Sequence, residues 1–163
     1  MKVFKPTYER ESVHHIENDF FKKEGITCAL LDIDNTLVAD NQPEADDGAR
    51  SFIKRLQEED IKICLVSNNN CDRVASFNKE FNLRAVHRAC KPFSYKINRI
   101  IRELDVDKNE VLFIGDQLLT DIPAGNMSKI RTMLVKPINI SKENNFFKFK
   151  RFIEKRVLDR NFR

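Results

Sequence analysis

The chain has 163 residues, the usual length of one domain, and it carries 29 Lys and Arg against 25 Asp and Glu. Its longest apolar runs, such as residues 111–114, cover only a few residues, whereas a membrane-spanning helix needs roughly 20. Residues 1–10 include Glu9 and lack the apolar core of a secretory signal. We therefore expect a cytoplasmic protein.

The cysteines, Cys28, Cys64, Cys71 and Cys90, show no C-x-x-C spacing. Two of them lie inside runs that we interpret as buried strands. We expect reduced thiols that serve as small core residues in a reducing compartment, and no zinc site.

A short helix is predicted ahead of the first strand, within a leading helical segment of residues 1–25. Val13, Ile16 and Phe20 recur at helical spacing, and the next glycine is typical of a helix stop. The adjacent His14 and His15 cannot point the same way on a helix. We expect both to be exposed to solvent rather than to bind a metal.

The first strand is predicted over residues 26–31, which are almost all apolar, and it stops at Asp32 and Asp34. Because side chains alternate along a strand, these two carboxylates are expected to share a face, where their repulsion calls for a cation. Mg²⁺ accepts carboxylates, a carbonyl, waters and a phosphate, so it is the predicted ion.

Helices and strands alternate along the rest of the chain. The predicted elements are a helix over 46–58, a strand over 61–66, a helix over 72–81, a strand over 84–87, a helix from Lys91-Pro92 to 104, a strand over 111–114, a short helix over 117–127 interrupted by Pro123, and a strand over 130–135. This rhythm predicts an α/β three-layer sandwich, a parallel sheet of about five strands with helices on both faces, in a single domain of residues 1–163.

In such a sheet, ligands bind beyond the carboxyl ends of the strands. The polar groups expected at that edge are Asp32, Asp34, Ser67, Asn68, Lys91, Asp116 and Asp121. These groups match what phosphoryl transfer through a covalent carboxylate requires. Asp32 is the predicted nucleophile, Asp34 the general acid and base, and Lys91 the cation that stabilises the phosphate charge.

The remaining roles concern the metal and the phosphate. We expect Mg²⁺ to be held by Asp32, the backbone carbonyl of Asp34 and Asp116, with Asp121 orienting Lys91 or a metal-bound water. The predicted phosphate-binding side chains are Thr36, Ser67, Asn68 and Lys91.

Four motifs, D-I-D-N-T, a strand ending in Ser67, Lys91 and G-D-Q-L-L-T-D, resemble those of the haloacid dehalogenase superfamily in order and in strand context. More narrowly, L-D-I-D-N-T-L-V, V-S-N-N-N, K-P and G-D-Q-L-L-T-D-I, followed by T-M-L-V-K-P-I, resemble the YqeG family of subclass IIIA phosphatases along nearly the whole chain. The chain departs from that family at Ser128, near which a second glycine is expected.

The resemblance implies a Rossmannoid fold of the dehalogenase type and a magnesium-dependent phosphatase. Relatives in the YqeG family include phosphatidylglycerophosphate phosphatases, so it also implies a lipid phosphate as substrate. Two alternatives stay open. One is a phosphatase for a protein or a soluble sugar or nucleotide phosphate, and the other is a non-catalytic binding protein on the same scaffold.

The spacing of the motifs leaves no room for a cap domain. One loop and one helix separate Asp34 from Ser67, and one helix and one short strand separate Ser67 from Lys91. An open site favours a large substrate whose own body, a membrane surface or a partner subunit closes the pocket.

The C-terminal segment is basic, with eight Lys and Arg against three Asp and Glu from Lys142 onward. A helix predicted within residues 142–163 carries an apolar arc that fits a peripheral anchor on anionic lipid at the inner face of the membrane. Arg156 and Arg160 fall within that arc, which fits a helix docked on the sheet equally well. Nucleic acid is the weakest interpretation, because the segment has no recognised binding motif. The oligomeric state stays open.

Overall fold

The computed structural model describes residues 2–139, and within them six strands form one parallel sheet. The strands are β1 (Tyr8–Arg10), β2 (Cys28–Leu31), β3 (Lys62–Val66), β4 (Arg84–Val86), β5 (Val111–Gly115) and β6 (Arg131–Val135). The helices are α1 (Phe20–Lys23), α2 (Asp47–Glu58), α3 (Cys71–Asn78), α4 (Tyr95–Leu104) and α5 (Asp121–Met127), with 3-10 turns at Lys2–Phe4, Val13–His15 and Lys108–Glu110. The predicted C-terminal helix lies outside the described residues.

The sheet order is β1-β6-β5-β2-β3-β4, and side chains alternate between its two faces. Ala29 and Leu31 of β2 pack in one apolar cluster with α2 and α3, while Cys28 and Leu30 pack in a second cluster with α4 and α5. The predicted three-layer α/β sandwich is therefore confirmed.

The sheet has one strand more than the five expected. The additional strand is β1, which pairs only with β6 at the edge of the sheet. Its three residues, Tyr-Glu-Arg, are half-buried or exposed, so they lack the apolar pattern by which the other strands were predicted.

The predicted helix within residues 1–25 is wrong as one continuous element. Val13, Ile16 and Phe20 are buried as expected, but the segment folds as a 3-10 turn over Val13–His15 and the separate short helix α1. Ile16 takes an extended conformation that ends the first turn. The predicted exposure of the adjacent His14 and His15 is confirmed.

Two predictions that involve proline are also wrong. Helix α4 begins at Tyr95 rather than at Lys91-Pro92, because the Asn68 side chain binds both the backbone N–H and the backbone carbonyl of Lys91. Those groups are therefore not free to join a helix. Pro123 does not interrupt α5, because it lies in the first turn, where its missing N–H needs no partner within the helix.

The cysteines divide into two pairs. Cys28 and Cys64 are buried in the sheet, as predicted, and burial raises the pKa of their thiols to about 11 and about 12. Cys71 and Cys90 are exposed, so their prediction as core residues is wrong. Cys71 begins α3 on the surface, and Cys90 lies in the loop between β4 and α4. All four thiols are free.

The segments that connect the site residues contain few elements. Between Asp34 and Ser67 the structure contains α2 and β3, and between Ser67 and Lys91 it contains α3 and β4. The described residues thus include no inserted cap domain, as predicted. No helix among residues 2–139 combines the length and apolar character needed to cross a membrane.

Candidate active site

A buried lysine joins two carboxylates at the carboxyl edge of the sheet. The Nζ of Lys91 lies 2.5 Å from Oδ1 of Asp32 and 2.8 Å from Oδ1 of Asp121, and it donates to the carbonyl of Val66 at 3.0 Å. The side chains of Lys91, Asp32 and Asp121 are 3%, 5% and 1% exposed. Three oxygen atoms therefore surround the ammonium group of Lys91.

Burial and charge act in opposite directions on this group of residues. The pKa of Asp32 is raised from 3.8 to about 7, chiefly by burial. The charge of Lys91 acts to lower this pKa, and the nearby carboxylates of Asp121 and Asp34 act to raise it. For Lys91, burial disfavours the ammonium, but the attraction of Asp121 and Asp32 outweighs it and raises the pKa above its ordinary value. Lys91 is therefore charged at neutral pH.

A third buried carboxylate, Asp116, follows β5. The hydroxyl of Thr36 lies 3.2 Å from Oδ2 of Asp32 and 3.3 Å from Oδ1 of Asp116, so it lies between the two acids. One oxygen from each of Asp32, Asp116 and Asp121 falls within 4.8 Å of the other two. Three buried carboxylates beside one ammonium leave a net negative charge that a divalent cation would balance, so these residues fit a metal ion.

Gly115 makes room for one of these acids. A Cβ atom at this position would lie 2.3 Å from Oδ2 of Asp121, well inside the contact limit. The same oxygen accepts a hydrogen bond from the backbone N–H of Gln117 at 2.9 Å. The G-D pair of the G-D-Q-L-L-T-D motif therefore combines a carboxylate, Asp116, with a glycine that admits a second one.

Asp34 has different partners from Asp32. Its Oδ1 lies 2.9 Å from Nε and 2.8 Å from Nη2 of Arg73 on α3, and its Oδ2 accepts from the side-chain amide of Asn69 at 3.4 Å. Arg73 also donates to the carbonyl of Pro43 at 2.9 Å. The carboxylate of Asp34 is therefore anchored toward α3, whereas that of Asp32 is anchored toward Lys91.

Arg73 was not among the predicted site residues, although the sequence contains a signal for it. It lies in the first turn of α3, where exposed N–H groups and the helix dipole disfavour a positive charge. A cation in that position indicates an acidic partner outside the helix, which the structure identifies as Asp34.

The two predicted residues after β3 contact backbone groups. Asn68 accepts from the N–H of Lys91 at 2.8 Å and donates to the carbonyl of Lys91 at 3.0 Å. The buried hydroxyl of Ser67 accepts from the N–H of Asn69 at 3.0 Å. Direct contacts thus join Asp32, Thr36, Lys91, Asp116 and Asp121, while Asn68 reaches this group through the backbone of Lys91.

A model of the haloacid dehalogenase-like hydrolases matches residues 5–128 of the chain. The structure is also similar to that of an uncharacterized protein from Listeria monocytogenes serotype 4b, with a TM-score of 0.57 and 14% identity over 73% of this chain and 85% of the other. A HAD-superfamily hydrolase from Ehrlichia chaffeensis gives a TM-score of 0.54 and 16% identity over 81% of this chain and 98% of the other. The chain therefore belongs to the haloacid dehalogenase-like hydrolase family.

A relative of known family assigns the chain to a smaller group within these hydrolases. The chain is 33% identical over 157 residues to the "Probable phosphatase YqeG" of Bacillus subtilis (strain 168), covering 96% of this chain and 91% of the relative. The predicted membership of the YqeG family is confirmed, and with it the prediction of a phosphatase enzyme.

Proposed function

We propose that the protein is a magnesium-dependent phosphomonoester hydrolase that acts through a phosphorylated aspartate, Asp32. The observation that carries the proposal is the buried group in which Lys91 joins Asp32 and Asp121 beside Asp116. The carboxylate of Asp32 is the nucleophile in this proposal, and the other groups control charge and protons around it.

The metal ligands in this proposal are Asp32, Asp116 and the backbone carbonyl of Asp34, with Asp121 in support through Lys91. The closeness of the Asp32 and Asp116 carboxylates supports the first two of these ligands. When bound, Mg²⁺ would offset the repulsion between the Asp32 carboxylate and a phosphate dianion.

In the first half of the reaction, an oxygen of Asp32 forms a bond to phosphorus while the bond from phosphorus to the ester oxygen breaks. Asp34 donates a proton to the departing oxygen, so the product leaves as an alcohol. Lys91 stabilises the charge on the phosphoryl oxygens as the transition state forms.

In the second half, Asp34 takes a proton from a water molecule that attacks the phosphorus of the acyl phosphate. The bond between phosphorus and Asp32 breaks, which restores the carboxylate and releases inorganic phosphate. Thr36, Ser67 and Asn68 complete the phosphate-binding set. Thr36 contacts the carboxylate of Asp32 and Asn68 binds the backbone of Lys91, so both adjoin the groups that would meet the phosphate.

The proposed substrate is a lipid phosphate, phosphatidylglycerophosphate, which is converted to phosphatidylglycerol. Two observations support it: the resemblance of the chain's motifs to those of the YqeG family, and the absence of an inserted cap among residues 2–139. A site without a cap admits a phosphate that is attached to a large body.

Phosphate release from phosphatidylglycerophosphate in detergent and in vesicles, compared with a panel of soluble phosphate esters, tests the proposal. We expect magnesium-dependent release from the lipid, and faster turnover of the soluble esters would refute the lipid substrate. Asp32→Asn should abolish all hydrolysis. Asp47→Asn, which changes a fully exposed carboxylate on α2, is the matched control and should leave it unchanged. Turnover that survives Asp32→Asn would contradict the covalent mechanism.

A further inference from the structure

We propose that the loop between β4 and α4, together with the first turn of α4, docks the enzyme on an anionic lipid bilayer. The surface, here called the β4–α4 rim, consists of His87, Arg88, Phe93, Tyr95 and Lys96. This inference rests on the proposed lipid substrate, since the rim would bring a headgroup phosphate to Lys91. It is separate from any contribution of residues 142–163.

The first observation is aromatic exposure. Phe93 and Tyr95 are 71% and 72% exposed, and the next large apolar side chain among residues 2–139, Ile138, is 47% exposed. Single exposed apolar residues are common on soluble proteins, but these two lie two residues apart, one at the end of the loop and one at the first position of α4. Aromatic side chains, tyrosine in particular, are enriched at the boundary between lipid and water because one end is apolar and the other polar.

The second observation is charge of a single sign. Residues 81–102 contain six Lys and Arg and no Asp or Glu. By contrast, the first 141 residues together carry 21 Lys and Arg against 22 Asp and Glu. Arg88 is exposed, and Lys96 donates to its backbone carbonyl at 2.6 Å, which brings the two basic residues together. Of the six basic residues, Lys91 is buried against two aspartates, and Arg84 and Arg99 are paired with Glu103. Arg88 and Lys96 therefore carry the positive charge of the rim, which attracts anionic headgroups.

The third observation is position. Strand β4 ends at Val86 and α4 begins at Tyr95, so the rim lies at the carboxyl edge of the parallel sheet, where the candidate active site also lies. Phe93 follows Lys91 by two residues, in a turn closed by a 2.9 Å hydrogen bond from its N–H to the carbonyl of Cys90. A bilayer in contact with Phe93 would therefore hold its headgroups close to the buried ammonium.

An open groove of about 420 Å³ between β4 and α4 continues the rim. Tyr95 and Lys96 line it, together with Arg84, Arg99 and Glu103. Glu103, the acid in this set, is paired with both arginines. The groove therefore presents aromatic and basic groups, and its one carboxylate is already neutralised by the two arginines. Such a surface matches an anionic lipid and not a cationic partner.

Tryptophan fluorescence tests the contact directly, because the chain contains no tryptophan. We expect full-length Phe93→Trp protein to show a blue shift with phosphatidylglycerol-containing vesicles, and quenching when those vesicles carry brominated acyl chains. The matched control is Met127→Trp, at a 43% exposed position at the far end of α5, and it should not respond. An unchanged emission from Phe93→Trp protein in the presence of these vesicles would overturn the proposal.

Co-sedimentation with the same vesicles gives a second measurement. The double variant Phe93→Ser, Tyr95→Ser should bind at least about tenfold more weakly than wild type, since it loses two apolar side chains from the contact. It should hydrolyse a soluble aryl phosphate at the wild-type rate, as should the control Val3→Ser, Met127→Ser. Unweakened vesicle binding, or a parallel loss of soluble activity, would refute docking through the rim.

The two proposals fail in different ways. If Phe93→Trp protein responds to vesicles but wild-type protein releases no phosphate from phosphatidylglycerophosphate, the lipid substrate is refuted and the docking surface is upheld. If the lipid is hydrolysed while Phe93→Trp protein gives no response, the substrate is upheld and the rim is refuted.

Discussion

Arg73 on α3 binds the carboxylate of Asp34 across 39 positions of sequence, with Nε 2.9 Å and Nη2 2.8 Å from the same oxygen. The side chains are 13% and 18% exposed, so the pair is largely shielded from solvent. In the proposed mechanism Asp34 both gives and takes a proton, which needs a fixed orientation of its carboxylate toward the reacting oxygen. Arg73 provides such an orientation from a separate helix.

Arg73→Leu should therefore lower kcat by roughly tenfold or more while changing KM by less than about twofold, because the carboxylate of Asp34 loses its orientation. Arg73→Lys should recover part of the loss, since it restores the charge but not the two-atom contact. Steady-state kinetics on an aryl phosphate measure both. The control is Arg50→Leu, which removes a partly exposed arginine on α2. An unchanged kcat in Arg73→Leu would contradict the positioning role.

Removal of the buried ammonium should affect both folding and activity. Lys91→Met leaves Asp32 and Asp121 without their cation, and breaking a buried pair in this way typically costs about 3–5 kcal/mol of unfolding free energy. Hydrolysis should fall by about two orders of magnitude or more. Urea denaturation with and without MgCl₂ measures the first effect.

We expect added Mg²⁺ to restore part of the stability of Lys91→Met, since a divalent cation replaces the missing charge. Lys54→Met removes an exposed lysine on α2 and should leave both stability and activity near wild type. A Lys91→Met protein as stable as wild type in EDTA would show that the two carboxylates do not need the ammonium.

The raised pKa of Asp32 predicts that the stability of the metal-free protein depends on pH. Burial raises its pKa from 3.8 to about 7, so the folded state holds this proton more tightly than the unfolded chain does. The contribution of Asp32 to stability is therefore greatest below pH 3.8 and falls as the pH rises from about 4 to about 7. Thermal denaturation in EDTA at several pH values measures the slope.

Asp32→Asn provides the comparison, because it removes the titrating group from both states. Wild type should lose unfolding free energy relative to Asp32→Asn as the pH rises toward 7, because only wild type carries the titrating group. Mg²⁺ should reduce this difference at pH 8. A difference that does not vary with pH would show that Asp32 titrates at its ordinary pKa.

Gly115→Ala should lower activity through Asp121. The added methyl group would lie 2.3 Å from Oδ2 of that acid, so the carboxylate must move and loosen its contact with Lys91. Gly48→Ala on α2 is the matched control, since the new Cβ lies 2.9 Å from the exposed ring of His14, which can turn away, and 3.3 Å from Oδ1 of Asp46, and alanine favours a helix. Activity measurements and thermal denaturation of both variants provide the test, and full activity in Gly115→Ala would contradict the spatial argument.

The parts of the fold that sequence predicts are those with a strong local pattern. Strands β2 and β5 are unbroken apolar runs followed by Asp32 and Asp116, and β3 is apolar after its first residue, Lys62, and is followed by Ser67. Polar residues directly after such runs mark the carboxyl edge of the sheet. Their grouping follows from the parallel topology alone. The buried ion pairs of the site then require only that Lys91 lie at the same edge of the sheet.

Other features depend on contacts between distant segments and leave little local trace. β1 is a strand because β6 offers it an edge, while its own three residues carry no apolar pattern. Helix α4 starts late because the side chain of Asn68, in the segment after β3, binds the backbone N–H and carbonyl of Lys91. The partner of Arg73 likewise lies on a different element, so the sequence indicates that an acid is needed without identifying it.

The bonds between Asn68 and the main chain of Lys91 have a consequence for how this enzyme can change. The side-chain amide of Asn68 makes the two hydrogen bonds that an adjacent strand would otherwise make. The position of Lys91 is therefore fixed by the segment after β3 and not by α4. On one side of the lysine, the buried Ala89 is also fixed, because its N–H donates to the carbonyl of Ser67 at 2.9 Å. On the other side, Phe93 and Tyr95 are exposed and can be substituted without moving Lys91. The surface that the enzyme presents to its surroundings can be altered by mutation while the reacting groups stay in place.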